Sequence, residues 1–318
     1  MSDAGLVALE DVRAAGRAIA GRVRRTPMMR STQLSARLGV DLQFKLELFQ
    51  KTGSFKVRGA LNRMLKLSAD ERRRGVVTIS AGNHAQAVAW GAREVGTRAL
   101  VVMYAGAVKS KVEATRGYGG EVIQSDRDLL DVAHELQEER NLVMVHPFDD
   151  PAVIAGAGTV GDEILDDAPE ADAILVGVGG GGIVSGIAVA AKARRAGIRV
   201  IGVEPEGAAA MRLSLDRGSP QKLERVSTIA DGLAAPWAGA LTFAHVCGLG
   251  IEIVTVPDAA IAESMWLTIE RCKVLAEPAA AAGMAALVAG AVSLPQGARA
   301  VCVLTGGNVD RERLKSLA

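Results

Sequence analysis

Three features of this 318-residue sequence predict an α/β fold with two domains, each a parallel, twisted sheet flanked by helices. Short apolar or β-branched runs alternate with helix-length amphipathic stretches along nearly the whole chain, as expected of strands buried on both faces. Hydrophobic residues make up 49% and glycine is abundant at 36, while aromatic residues are only 3%. Such cores are packed with Ala, Val, Leu and Ile. The length allows two cores, and the turn-rich segment Pro147-Phe148-Asp149-Asp150-Pro151 marks a crossing between them. The chain is therefore divided into a small unit, 73–148, inserted in a large one made of 1–72 and 149–318.

Taken in order, residues 8–21 carry apolar side chains at helical spacing, and Arg25-Thr26-Pro27 ends that helix. A strand-like run, 42–48, precedes a helical pattern from Lys56 through Leu61, Met64 and Leu65. The small unit reads as strand 76–80, helix 83–95, strand 99–103, helix 110–118, strand 121–124, helix 129–140 and strand 142–145. After residue 151 come strand 173–178, a helix from 183 to 196, strand 200–204 and a helix near 208–216. Strand 251–256, helix 261–275, an Ala-rich helix within 278–294 and strand 300–304 complete the pattern. The uncharged run 278–294 falls short of the ~20 apolar residues a span needs, so a buried helix is expected and no membrane partner.

A net charge of +1 with both signs interspersed gives no basic footprint for nucleic acid. The run Asp70-Glu71-Arg72-Arg73-Arg74 is a solvated helix end. Cys247, Cys272 and Cys302 are odd in number and lack ligand-like spacing, and Cys302, inside an apolar run, is a core residue. The N-terminus carries Asp3, Glu10 and Asp11 and no signal-type apolar segment. These features predict a reduced, cytoplasmic protein.

In parallel sheets ligands bind beyond the carboxyl ends of strands, which directs attention to the loops there. After 42–48 comes Lys-Thr-Gly-Ser-Phe-Lys-Val-Arg-Gly-Ala, residues 51–60. Ser54 is the candidate N-cap, with Gly53 freeing the backbone before it. Lys56 then lies in the first helical turn, where the dipole lowers its pKa, and in a dry site it becomes a nucleophile toward carbonyls. Taken alone, a solvated surface lysine is the simpler account of this residue. The loop Gly179-Gly180-Gly181-Gly182 joins a strand to a helix N-terminus and forms an anion cradle suited to phosphate. It lacks the Lys-Ser/Thr of a Walker loop. It also satisfies GxGxxG as Gly177 to Gly182, with Glu204 near the place of a ribose-holding acid, so a dinucleotide-binding oxidoreductase competes on this loop alone.

Ser80-Ala81-Gly82-Asn83-His84 offers hydroxyl, amide and N–H donors at a helix start, for a carboxylate or phenolic oxygen, or else simply a cap with a half-buried histidine. Thr305, ahead of Gly306 and Gly307, presents a hydroxyl at a strand end.

Together, the 51–60 stretch, Ser80-Ala81-Gly82-Asn83-His84-Ala85-Gln86, the four glycines and Leu304-Thr305-Gly306-Gly307-Asn308 stand in the order and spacing of one family. From about residue 24 to 310 the chain resembles the threonine/serine dehydratase and serine racemase family. The resemblance implies the tryptophan synthase β-subunit-like fold (fold type II) and pyridoxal 5'-phosphate as cofactor. It implies that Lys56 holds the cofactor as a Schiff base, that Phe55 packs against its ring, and that Asn83 meets its 3'-oxygen. The N–H groups of Gly179, Gly180, Gly181 and Gly182 take its phosphate. Ser80, Ala81, Gly82, Asn83 and His84 match the loop that grips the substrate carboxylate. Thr305 matches the hydroxyl partner of the pyridine nitrogen, a neutral contact that favours β-elimination over transamination.

The activity so implied is a dehydratase, or ammonia-lyase, turning a β-hydroxy-L-amino acid into a 2-oxo acid and ammonia. L-Threonine or L-serine is expected first, with 3-phenylserine, 3-hydroxyaspartate and hydroxyectoine-derived substrates open. A racemase and a catalytically silent cofactor-binding protein are the alternatives, and Lys56 with an intact carboxylate loop argues against the latter. Three positions depart from the family pattern. Ala81 replaces the serine of racemase-type members, which favours the dehydratase. Ala210 stands where some members have a carboxylate that joins the Glu204 equivalent on a divalent cation, so no metal is expected. Thr305 replaces a common serine and keeps the hydroxyl. The chain stops soon after Asp310, so feedback through a C-terminal regulatory domain is not expected, and a homodimer or homotetramer is.

Overall fold

The computed structural model describes residues 5–317. Asp3 and the remaining end residues of the sequence-predicted large unit, 1–4 and 318, lie outside the described residues. The strands are β1 (Met28–Arg30), β2 (Asp41–Leu46), β3 (Val76–Ile79), β4 (Ala99–Tyr104), β5 (Glu121–Ser125), β6 (Val143–Met144), β7 (Ala173–Gly177), β8 (Arg199–Pro205), β9 (Glu252–Val256) and β10 (Arg299–Leu304). The helices are α1 (Leu9–Ile19), α2 (Thr32–Leu38), α3 (Lys56–Leu65), α4 (Ala69–Arg74), α5 (Asn83–Val95), α6 (Lys109–Gly117) and α7 (Leu129–Arg140). They continue with α8 (Pro151–Asp167), α9 (Gly182–Arg194), α10 (Ala210–Arg217), α11 (Ala240–Gly248), α12 (Asp258–Cys272), α13 (Pro278–Val288) and α14 (Arg311–Ser316).

A six-stranded sheet runs β1-β2-β10-β7-β8-β9, with β1 antiparallel to β2 and the other pairs parallel. A four-stranded, all-parallel sheet runs β5-β4-β3-β6. The alternation of side chains explains the apolar strand sequences. On β7 and β10, Leu175, Cys302 and Leu304 pack toward Leu34, Leu267 and Met284, while Ile174, Val176, Val301 and Val303 pack toward Val160, Ile187 and Val246. Helices cover both faces, so neither set can be polar. Cys302 is buried as its sequence context predicts, and all three cysteines are free. The Ala-rich stretch forms the buried helix α13, and no helix among the described residues is long and apolar enough to cross a membrane.

Two helices join the sheets. α3 leaves β2 of the larger sheet, yet it buries Val57, Ala60, Leu61 and Met64 with Val76, Val88 and Trp90 of the smaller one. The other is α8, absent from the pattern read above, as are β1, α2, α11 and α14. Asp150 caps α8 by accepting from Ala152 and Val153 N–H at 2.7 and 3.0 Å, and Pro151 opens it. Its glycines lower helix propensity, but tertiary packing requires them. A Cβ on Gly156 would lie 2.6 Å from the Arg58 carbonyl oxygen, one on Gly158 2.8 Å from that of Gly186, and one on Gly161 2.8 Å from that of Ile187.

Candidate active site

The loop after β2 turns at Gly53, whose φ of +75° disfavours a side chain and where a Cβ would lie 2.5 Å from Asn308 Oδ1. Ser54 does not cap α3. Phe55 holds that position without a side-chain bond, while Ser54 pairs with Gly306 in an antiparallel bridge, its hydroxyl buried without a partner among the described residues. The reason is tertiary. The 53–55 backbone is taken up by the loop after β10, with Phe55 N–H donating to Thr305 O at 3.0 Å and Gly307 N–H to Gly53 O at 2.9 Å.

The first turn of α3 is clamped from below by buried charges. Arg58 Nε donates to Glu47 at 2.8 Å and Nη1 to Glu163 at 2.7 Å, while Lys45 Nζ meets Glu163 at 2.7 Å. Each cation of this cluster is thus met by carboxylates, with Asp167 also 3.9 Å from Lys45 Nζ. Above it, Lys56 Nζ donates to Pro147 O at 2.8 Å and sits 5.2 Å from the centroid of the Phe55 ring. Burial lowers its pKa from the lysine range to about 8, so the neutral amine is accessible near physiological pH.

The segment 146–149 ties Lys56 to the glycine loop. Phe148, next to the carbonyl that holds Lys56, packs so tightly on the loop that a Cβ on Gly180 would lie 2.3 Å from its ring. Gly181 adopts a φ of +92° at the start of α9. Asp149 accepts from the Ala240, Leu241 and Thr242 N–H groups at 3.0 to 3.1 Å, and the Thr242 hydroxyl donates to Gly180 O at 2.7 Å. The loop is thus braced by α11, and the N–H groups at the α9 terminus are of the kind that can bind an anion.

Glu204 is engaged by the backbone of the following helix. It is buried, and its two oxygens accept from Met211 and Arg212 N–H at 2.8 Å each, which caps α10. Burial outweighs those bonds and raises its pKa to about 7. Among the described residues no group of three His, Cys, Asp or Glu side chains is placed to hold a metal ion.

On the smaller sheet, Asn83 begins α5 and lies between two loops of the larger one. Its Nδ2 donates to Glu277 Oε1 at 2.6 Å, and Asn308 Nδ2 donates to its Oδ1 at 2.8 Å. Ser80 Oγ accepts from Gly82 N–H at 3.1 Å, which leaves its own O–H free to donate, and Ala81 is half-buried beside it. His84 is buried with Nε2 3.1 Å from Val145 O, a bond that requires the proton on Nε2. Among the described residues Nδ1 has no partner, and burial, with the Lys56 charge adding, lowers the His84 pKa to about 3. His84 is therefore neutral and faces the β6 end. Thr305 is buried at the end of β10.

Glu277, Phe148, Asp149 and Thr242 escaped the sequence reading, as did a role for Asn308 within its motif. Glu277 had one legible signal, its place directly before Pro278 at a helix start.

An α/β enzyme with a part-buried lysine of lowered pKa, a side-chain-free glycine loop at a helix start and a spare amide donor is suited to a phosphorylated carbonyl cofactor. Pyridoxal phosphate fits these residues, and the buried unpartnered hydroxyls of Thr52 and Ser54 leave further polar contacts beside Lys56. Comparison with known proteins agrees. The model of the pyridoxal-phosphate-dependent enzyme family matches residues 19–306. The chain is 43% identical over 309 residues to L-threonine ammonia-lyase of Thermotoga maritima, covering 96% of this chain and 76% of that protein. It is 40% identical over 315 residues to the catabolic L-threonine dehydratase of Escherichia coli, covering 98% and 96%. The structure matches maize serine racemase with a TM-score of 0.93 at 40% identity, over 98% of this chain and 96% of that one. The chain belongs to the pyridoxal-phosphate-dependent enzymes, with their fold type II architecture, and the dinucleotide reading of the glycine loop is set aside.

Proposed function

We propose that this protein is a dehydratase that converts a β-hydroxy-L-amino acid, L-threonine or L-serine first, to a 2-oxo acid and ammonia at the site around Lys56. The observation that carries this reading is the Lys56 amine, held at 2.8 Å by Pro147 O and brought by burial to a pKa of about 8. Bound pyridoxal phosphate supplies the electron sink for cleavage at Cα. The chain supplies the rest. The N–H groups of Gly179 to Gly182 would hold the phosphate, and the free N–H of Asn83 would serve the phenolic oxygen. With its lowered pKa, the free Lys56 amine would be the base that takes the Cα proton near neutrality. Ser80 O–H and the N–H groups of the 80–83 loop bind the substrate carboxylate, with His84 packed beneath as a neutral group. Thr305 offers the pyridine nitrogen an uncharged hydroxyl.

A racemase reading draws on the likeness to maize serine racemase. Ala81 speaks against it, since a methyl group has no proton to return on the face opposite Lys56. We also take the two sheets as two units, 73–148 within 1–72 and 149–318, and the enzyme as a cytoplasmic homodimer or homotetramer. A single preparation tests the chemistry. Borohydride reduction and peptide mapping should place the pyridoxyl label on Lys56, and L-serine should yield pyruvate and ammonia with little D-serine. Label on another lysine defeats the site, and abundant D-serine defeats the assignment of activity.

A further inference from the structure

The reaction proposed above leaves Glu277 without a task, although it is a charged side chain only 8% exposed and bonded to the site. Its position is well determined. Its N–H donates to Gly306 O at 3.1 Å, and a Cβ on Gly306 would lie 2.6 Å from its Oε1, so the glycine leaves room for the carboxyl group alone.

The hydrogen-bond count at Asn83 suggests what Glu277 does. Asn308 Nδ2 donates to Asn83 Oδ1 at 2.8 Å and is itself fixed by Thr52 O at 2.7 Å. Glu277, an acceptor when ionised, takes one of the two N–H groups of Asn83 Nδ2 at 2.6 Å. The amide is held at both ends, which settles its orientation and leaves a single N–H uncommitted. We infer that Glu277 is a positioning residue: by accepting one N–H of Asn83 it aims the other at the phenolic oxygen of the cofactor. The inference rests on the placement of Asn83 in the proposed site.

The surroundings suit a group that changes charge without losing its bond. Lys111 on α6 and Asp231, which pair at 3.0 Å, act on Glu277 with opposite sign, and burial raises its pKa to about 7. Ionised or protonated, the carboxyl keeps an acceptor oxygen for Asn83.

A double-mutant cycle read by pyridoxal phosphate titration of the apo protein tests the coupling, independently of turnover. Glu277→Ala should weaken cofactor affinity roughly tenfold and shift the visible absorbance band. In an Asn83→Ala background the same change should matter less than about twofold. Glu277→Gln, which keeps an acceptor, should restore affinity to within about threefold of wild type. Should Glu277→Ala not fold by circular dichroism, Glu277→Met fills the volume without an acceptor and replaces it in the cycle. Equal affinity of Glu277→Ala and wild type overturns the inference, as does an equal loss in both backgrounds. Failure of the underlying site reading looks different: Lys56→Ala and Asn83→Ala would then leave affinity and spectrum as in wild type.

Discussion

At the scale of one residue, His84 couples burial to pH. Its Nε2 proton is spent on Val145 O and its buried Nδ1 is without a partner among the described residues, so protonation would create a buried donor without a partner there. Its pKa falls from 6.5 to about 3, chiefly through burial. The native state therefore binds fewer protons than the unfolded chain between those values. The stability this neutral ring contributes is present above pH 6.5 and is lost as pH falls toward 3. Between pH 7 and 4.5 the loss from this group is on the order of 3 kcal/mol. His84→Gln can keep the bond to Val145 O and cannot titrate. Urea unfolding of the apo protein at both pH values should show wild type losing more stability than His84→Gln by about that amount. Equal losses would mean that His84 is solvated or paired in solution.

Among the elements, α8 departs most from what a helix sequence is expected to look like. Gly156, Gly158 and Gly161 each face the backbone of a neighbouring helix, and a methyl group at any of them would enter a space below 3 Å. In an isolated helix, Gly to Ala is favourable by about 1 kcal/mol. Here overpacking against a main-chain carbonyl, which cannot rotate away, should reverse the sign, and Gly156→Ala should destabilise by about 1–3 kcal/mol. Gly117 in α6 is the control, since a Cβ there meets nothing within 4 Å and Gly117→Ala should be neutral or stabilising. Chemical denaturation of the pair decides this; destabilisation of both, or of neither, would show that packing of α8 is not what its glycines serve.

For the molecule as a whole, α3 is decisive because it starts at Lys56, the proposed Schiff-base lysine, and belongs to both sheets. Its Arg58 is locked to Glu47 and Glu163 of the larger layer, while Leu61 and Met64 fill the core of the smaller one. Pulling the sheets apart would expose that core and strand buried charges. The two units should therefore unfold together. Far-UV circular dichroism and tryptophan emission, from Trp90 in α5, Trp237 beside Phe148 and Trp266 in α12, should give one coincident urea midpoint. Separate midpoints would mean that the shared layer is weaker than either sheet's own core.

Strands such as β7 and β10, the glycine turn into α9 and the helix start at Lys56 were legible in the amino-acid order, because burial on both faces and the need for bare backbone leave marks within a few residues. The motifs also carried the family, its cofactor and the residues Asn83 and Thr305 as candidates. What was hidden depends on distant partners. The glycines of α8 look like helix breakers until α3 and α9 are packed against them, and Ser54 looks like a cap until Gly306 claims its backbone. Glu277 meets Asn83 across 194 residues, and Asp149 meets α11 across more than 90. Local patterns record what a segment needs from solvent and from its own backbone. Which buried carboxylate meets which donor is decided only when the two sheets close on each other and water leaves between them.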